Sequence, residues 1–138
     1  MHLSKLLLKY NSLHGATNYP LLYDISSEKE FSNIIERERE RANRNDHQLS
    51  LIVFELEAFE PGNLVVKQFI KKAKQRMRKI DEIGFYRSSQ IGIVMPYTNF
   101  EGAAKYIESL TVSFGITKPI KNIFIYTYPD DMGNKNNS

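Results

Sequence analysis

The stretch Leu49–Leu56, LSLIVFEL, constrains this chain more than any other. It is a nearly continuous apolar run with β-branched and aromatic members, too short and too β-prone for a helix, and it is best accommodated as a central, buried strand. The rest of the chain has to be arranged around it. Upstream, Ser27-Glu28-Lys29-Glu30 has the spacing of a capping box, so a helix is predicted to begin there. Phe31, Ile34, Ile35 and Ala42 give that helix one apolar stripe, and Glu36 to Arg41 supply alternating charges expected on a solvated face. Asn43-Arg44-Asn45-Asp46 closes it.

Downstream, Pro61-Gly62 marks a turn and Asn63 is a natural N-cap. Apolar residues at 66, 69, 70, 73, 77 and 80 predict a helix over Leu64–Ile80. Tyr86–Pro96, YRSSQIGIVMP, reads as the core of a β-hairpin with arms at about 82–87 and 90–96. Thr98-Asn99-Phe100-Glu101 has capping-box spacing and opens a helix whose Ala103, Ala104, Ile107, Leu110 and Phe114 should face inward, with Gly115 ending it. Asn122–Tyr128 is a last strand. The order α-β-α-β-β-α-β predicts an α+β sandwich, with helices packed on one face of a mostly antiparallel sheet. Residues 1–23 read as an N-terminal arm or linker, 24–129 as one domain, and 130–138 as a disordered polar tail.

Composition narrows the chemistry. The chain has 138 residues and no cysteine, which removes disulfides, thiolate metal sites and thiol nucleophiles and fits a cytoplasmic protein. No apolar run approaches the roughly 20 residues that span a bilayer, and the N-terminus lacks a signal-peptide cleavage site. A net charge of +3 does not announce a nucleic-acid partner. His2, His14 and His47 are scattered, so no His pair has metal-ligand spacing and no His stands near Ser88 or Ser89 to activate a hydroxyl. No phosphate-cradling glycine string occurs.

Several strings, in shared order, resemble a GGDEF domain, the fold of diguanylate cyclases, from about Asp24 to Tyr128. Members of that family carry E-x-x-R-A-x-R at the end of a helix, where Glu38–Arg44 stands here. Their first strand ends in D-x-D-x-F, and here the string is Glu55-Leu56-Glu57-Ala58-Phe59. Then come R-x-x-D, five residues, the signature hairpin and L-P-x-T; this chain has Arg78-Lys79-Ile80-Asp81, five residues, Arg87-Ser88-Ser89-Gln90-Ile91, and Met95-Pro96-Tyr97-Thr98. Gly102-Ala103 matches a following G-A. The resemblance implies the GGDEF sandwich fold.

The departures bear on activity. Family glycines let the hairpin backbone approach nucleotide phosphates, and Arg87 and Ser88 hold those places. The third signature position supplies a metal-holding carboxylate in the family and is Ser89 here; the fourth, normally acidic, is Gln90. Glu55 is left as a vestigial ligand, and a lone carboxylate holds Mg²⁺ poorly. The guanine-recognising N-D…G-H…G-D segment is shortened away between Glu60 and Leu64. These changes imply a degenerate domain in bacterial signalling that is not an enzyme and needs no cofactor or metal, and that works through a protein partner or self-association.

Two further features stay open. In the family R-x-x-D is an inhibitory site for cyclic di-GMP, which makes Arg78 and Asp81 candidate ligand-binding residues; the alternative is that Asp81 caps the end of the helix. Lys67, Lys71, Lys74 and Arg78 form a one-signed stripe, either a solvated face or a contact for an anionic partner, so a small basic nucleic-acid-binding domain using the 67–79 helix is a further alternative; without interleaved aromatics the stripe does not suit single-stranded nucleic acid. The hairpin tip Ser88-Ser89 and the pair Glu55/Glu57 are equally compatible with an ordinary turn and a solvated strand end.

Overall fold

A computed structural model describes residues 23–60, 62–113 and 120–130. The expectations for the N-terminal arm, for Phe114 and Gly115 and for the polar tail lie outside the described residues. The elements are α1 (Glu28–Asn45), β1 (Leu49–Leu56), α2 (Leu64–Gln75), β2 (Glu82–Arg87), β3 (Gln90–Pro96), α3 (Phe100–Glu108, followed by one π turn at Ser109–Ser113) and β4 (Ile120–Tyr128). The strands form one antiparallel sheet ordered β2-β3-β1-β4, with β1 in the interior. Ser26 adds a parallel bridge to Gly84 on the outer side of β2.

Helices cover both faces of the sheet, not one. On one side Ile52, Phe54, Ile83, Phe85, Ile91, Ile93 and Met95 pack against Val66, Phe69, Ile70 and Ala73 of α2 and Ala103 and Tyr106 of α3. On the other, α1 presses Phe31 and Ala42 onto Leu49, Leu51, Val53 and Val94. The physical reason lies in β1: it is apolar at odd and even positions alike, so both of its faces must leave water. Phe31 lies across Gly84 and Gly92, which are paired in register; a Cβ built on either would come within 2.7 Å and 2.6 Å of its ring. Two glycines side by side therefore make the flat seat for α1.

The capping box of α1 is formed, with Glu30 N–H donating to Ser27 Oγ at 3.1 Å and Ser27 N–H to Glu30 Oε1 at 3.0 Å. Its charged run is not wholly solvated. Glu38 falls on the apolar stripe one turn from Ile34 and Ile35, is buried, and is ion-paired to Arg37 and Arg41. A six-residue run on a helix of 3.6 residues per turn has to send one member inward. Asn63 caps α2, accepting from Val66 N–H at 3.0 Å. The cap of α3 is Asn99, which accepts from Gly102 N–H at 2.9 Å; Thr98, expected in that role, is buried one residue earlier.

The α2 helix ends at Gln75, five residues before the predicted Ile80. Asp81 stops it: its carboxylate accepts from the backbone N–H of Arg78 at 2.8 Å while its own N–H donates to Arg78 O at 3.0 Å, closing a turn. Met77 still packs on the core but Ile80 points into solvent.

Candidate functional site

The residues singled out in the sequence gather in two regions, at opposite ends of β3. At the first, β1 ends beside the tip of the β2–β3 hairpin. Leu56 N–H donates to Ser89 O at 2.8 Å, tying the tip to the end of β1. Ser89 adopts a left-handed φ of 60°, and Arg87 is exposed with its guanidinium carbon 5.4 Å from the centre of the Tyr86 ring. Gln90 begins β3 and faces Glu55 in register; Ile91 is fully buried and belongs to the core. Glu55 Oε1 accepts from the Asn122 side-chain amide at 2.8 Å across β4. Glu57 lies past the end of β1 and is exposed.

The β1–α2 connection closes around a residue the sequence reading had not singled out. The buried Tyr23 hydroxyl donates to Glu60 O at 3.4 Å and accepts from Gly62 and Asn63 N–H, both at 3.1 Å. Its ring meets Phe59 and Phe85 edge-on. A tyrosine from before α1 thus organises the short loop, a long-range contact with no local signal at Tyr23 itself.

The second region is where the end of α2, the end of β3 and the start of α3 meet. Arg78 grips Asp81 through Nε, 3.2 Å from each carboxylate oxygen, and through Nη2 at 2.8 Å. Nη2 also donates to Pro96 O and Thr98 Oγ1, each at 2.8 Å. The Asp81 side chain is 0% exposed and that of Arg78 46%. The carboxylate is consumed inside the protein, and the outer part of the guanidinium borders a groove of about 490 Å³. Arg76, Lys105, Tyr97 and Asn99 line the same groove. At its back the Tyr106 hydroxyl donates to Ala73 O at 2.6 Å. Burial, with the Asp81 charge beside it, pushes that hydroxyl well above the usual tyrosine range.

The predicted residues therefore fall into two groups: Arg78 and Asp81 are in direct contact, whereas Arg87, Ser88, Ser89, Gln90 and Glu55 gather at the other end of the hairpin. The basic stripe is shorter than expected, since Arg78 is off the helix and Lys74 is tied to Asp24 O at 2.6 Å. Among the described residues no cluster of three His, Asp or Glu could hold a metal, and no helix is long and apolar enough to cross a membrane.

An interior strand flanked by a hairpin and an edge strand, with helices on both faces, makes this an α+β sandwich. No protein-family model matches the chain, and no curated protein sequence matches it. Solved structures do. A DGC protein from Thermotoga maritima aligns with a TM-score of 0.67 at 16% identity, over 80% of this chain and 86% of that one. The GGDEF domain of DgcB from Caulobacter crescentus, in complex with c-di-GMP, aligns at 0.61 and 13% identity over 77% of this chain and 70% of that one. Diguanylate cyclase SiaD from Pseudomonas aeruginosa, in complex with its activator SiaC, aligns at 0.59 and 13% identity over 90% of this chain and 56% of that one. The fold is that of the GGDEF domain.

Proposed function

We propose that this chain is a non-cyclising GGDEF-fold domain that regulates a bacterial signalling partner by binding rather than by turnover. The observation that carries this reading is the chemistry at the hairpin tip. Phosphoryl transfer rests on metal and positioning, and the donor set here does not fit a Mg²⁺ site: Glu55 has Asn122 on one oxygen, Gln90 opposite it and Ser89 at the turn, and among the described residues no cluster of acids forms around it. Octahedral oxygen coordination needs more than that. The two places that are glycine in the family hold Arg87 and Ser88, which carry side chains where glycine would leave the backbone bare. The shortened loop between Glu60 and Leu64, fastened on Tyr23, leaves no counterpart of a guanine-reading segment. The complex of SiaD with SiaC offers a precedent for a protein of this fold that answers to a protein partner. The test is incubation with GTP and Mg²⁺ or Mn²⁺ and assay for cyclic dinucleotide. No product is expected; robust turnover that Glu55→Ala abolishes would refute the proposal.

A second reading is favoured by the groove beside Arg78. In it the domain is a receptor for cyclic di-GMP, as the complex of the Caulobacter domain makes chemically reasonable for the fold. Arg78 is the residue that meets the ligand, and Asp81, turned inward, orients the guanidinium instead of accepting from a guanine N–H. Calorimetric titration with cyclic di-GMP tests it directly.

A further inference from the structure

The groove contains a residue that neither strand, turn nor cap requires. Tyr97 sits between β3 and the Asn99 cap with a left-handed φ of 56°. Aspartate and asparagine visit that region readily; a bulky aromatic does not, and glycine would hold it without strain. Strain of this kind concentrates where a side chain is needed for what it touches. Here the turn is pinned by Tyr97 N–H donating to Gln48 O at 2.8 Å, and the ring is held out over the groove, the residue 62% exposed. Behind it the His47 ring stacks at a centroid distance of 3.8 Å and an interplanar angle of 26°. His47 is itself fixed by its Nδ1 contact to Gln48 O at 2.9 Å. One face of Tyr97 is thus backed by His47 and the other is open. Arg78 and Lys105 share the groove with it, and Lys105 has no ion-pair partner among the described residues. Among the described residues the only carboxylate lining the groove is Asp81, already neutralised by Arg78.

We propose that Tyr97, backed by His47, is a stacking platform, and that the groove takes a ligand joining an aromatic base to phosphate, a nucleotide. A cation pair alone would select any small anion; a rigid exposed ring adds a preference for a flat π-system, and Arg78 presents a planar fork suited to phosphate oxygens. The inference rests on the reading of the Arg78 groove as a ligand site and adds the element that would discriminate nucleotides from inorganic anions.

The experiment is calorimetric titration of the full chain with cyclic di-GMP, GMP and inorganic pyrophosphate, on the wild type and on Tyr97→Gly, Tyr97→Phe and Lys105→Ala. Tyr97→Gly relaxes the backbone, so its melting temperature should stay close to that of the wild type. Its affinity for whichever nucleotide binds should fall about tenfold or more, the loss of one base–aromatic contact. Pyrophosphate affinity should be unchanged in Tyr97→Gly. Tyr97→Phe should bind within about threefold of the wild type, because the ring and not the hydroxyl does the stacking. Lys105→Ala should weaken every probe that binds. If Lys105→Ala weakens nucleotide binding while Tyr97→Gly leaves it intact, the groove binds anions without a platform and this inference alone fails. If the wild type binds neither nucleotide, the platform and the ligand-site reading beneath it fail together.

Discussion

Arg78→Ala separates the structural role of the Arg78–Asp81 pair from the ligand-binding role proposed for it. The substitution deletes three guanidinium contacts to a carboxylate that is 0% exposed, leaving it one backbone N–H donor from residue 78. Stripping one member from a buried ion pair costs about 3–5 kcal/mol. The guanidinium side is half open, so water can enter the vacated space and the cost falls at the low end, about 3 kcal/mol. For a domain of this size that lowers the melting temperature by roughly 10 °C. Asp81→Ala breaks the same three contacts and also removes the acceptor of the Arg78 backbone N–H, but it leaves no buried charge, since the Arg78 head can turn into solvent; its cost should be about 1–2 kcal/mol. The double substitution should melt close to Asp81→Ala rather than at the sum of the two, because the strain in Arg78→Ala is the orphaned carboxylate itself. Thermal melts by circular dichroism on the four proteins give the cycle. If Arg78→Ala melts within about 2 °C of the wild type, or if Asp81→Ala is the more damaging, the cost does not come from an orphaned buried carboxylate and this account of the pair fails. The same data fix the temperature below which Arg78→Ala is a fair control in ligand titrations. Arg78→Lys is no substitute, because one ammonium nitrogen cannot reproduce the Nε and Nη2 edge that holds the Asp81 carboxylate from two atoms at once.

Gly92→Ala should destabilise by about 1–3 kcal/mol, since a Cβ at 2.6 Å from the Phe31 ring outweighs any strand-propensity gain; a denaturant midpoint equal to or above the wild type would show that α1 can lift off its seat without loss. Ile93→Asp places an unpartnered charge in the centre of the sheet and should cost several kcal/mol, enough to unfold the domain at ambient temperature, which far-UV dichroism would register. Ser88→Ala and Ser89→Ala at the hairpin tip should each change stability by about half a kcal/mol or less in urea titrations; larger losses would mean that the tip side chains hold the turn.

The local elements were legible because their causes are local. Hydrophobic period placed β1 at its observed bounds and the hairpin arms within a residue, and the Ser27/Glu30 box and the Asn63 cap announced two helix starts. The errors came from tertiary competition. The period of α2 runs on through Met77 and Ile80, and only the demand of the Asp81 carboxylate for the Arg78 backbone N–H stops the helix at Gln75. The second covered face of the sheet was implicit in the same LSLIVFEL run that defined the first, since a strand without alternation has no side to leave wet. What no spacing could reveal was the seat for α1: Gly84 and Gly92 are eight positions apart in sequence and become neighbours only through the hairpin register.

The candidate site was legible as composition and opaque as orientation. The strings could say that the signature positions hold Arg87, Ser88, Ser89 and Gln90, since substitution is a property of sequence. They could also pair Arg78 with Asp81 by their spacing, but not which way the carboxylate faces, because that depends on Pro96 and Thr98 arriving from the far end of β3 to share the guanidinium. The inward turn changes the chemistry on offer: a free carboxylate would ask for a hydrogen-bond donor, whereas a neutralised one leaves the groove bordered by Arg78 and Lys105 and faced by Tyr97. Tyr97 illustrates the limit from the other side. In sequence it is an aromatic next to a proline, ordinary in every respect; its left-handed backbone and its stack on His47 exist only once α1 has delivered His47 to the end of β3. The two ends of that strand thus differ: Ser89 and Gln90 stand at the tip beside Glu55, while Arg78, Lys105 and the exposed Tyr97 ring border the groove at the opposite end, and it is this contrast on which the proposal of a domain that reads a ligand rests.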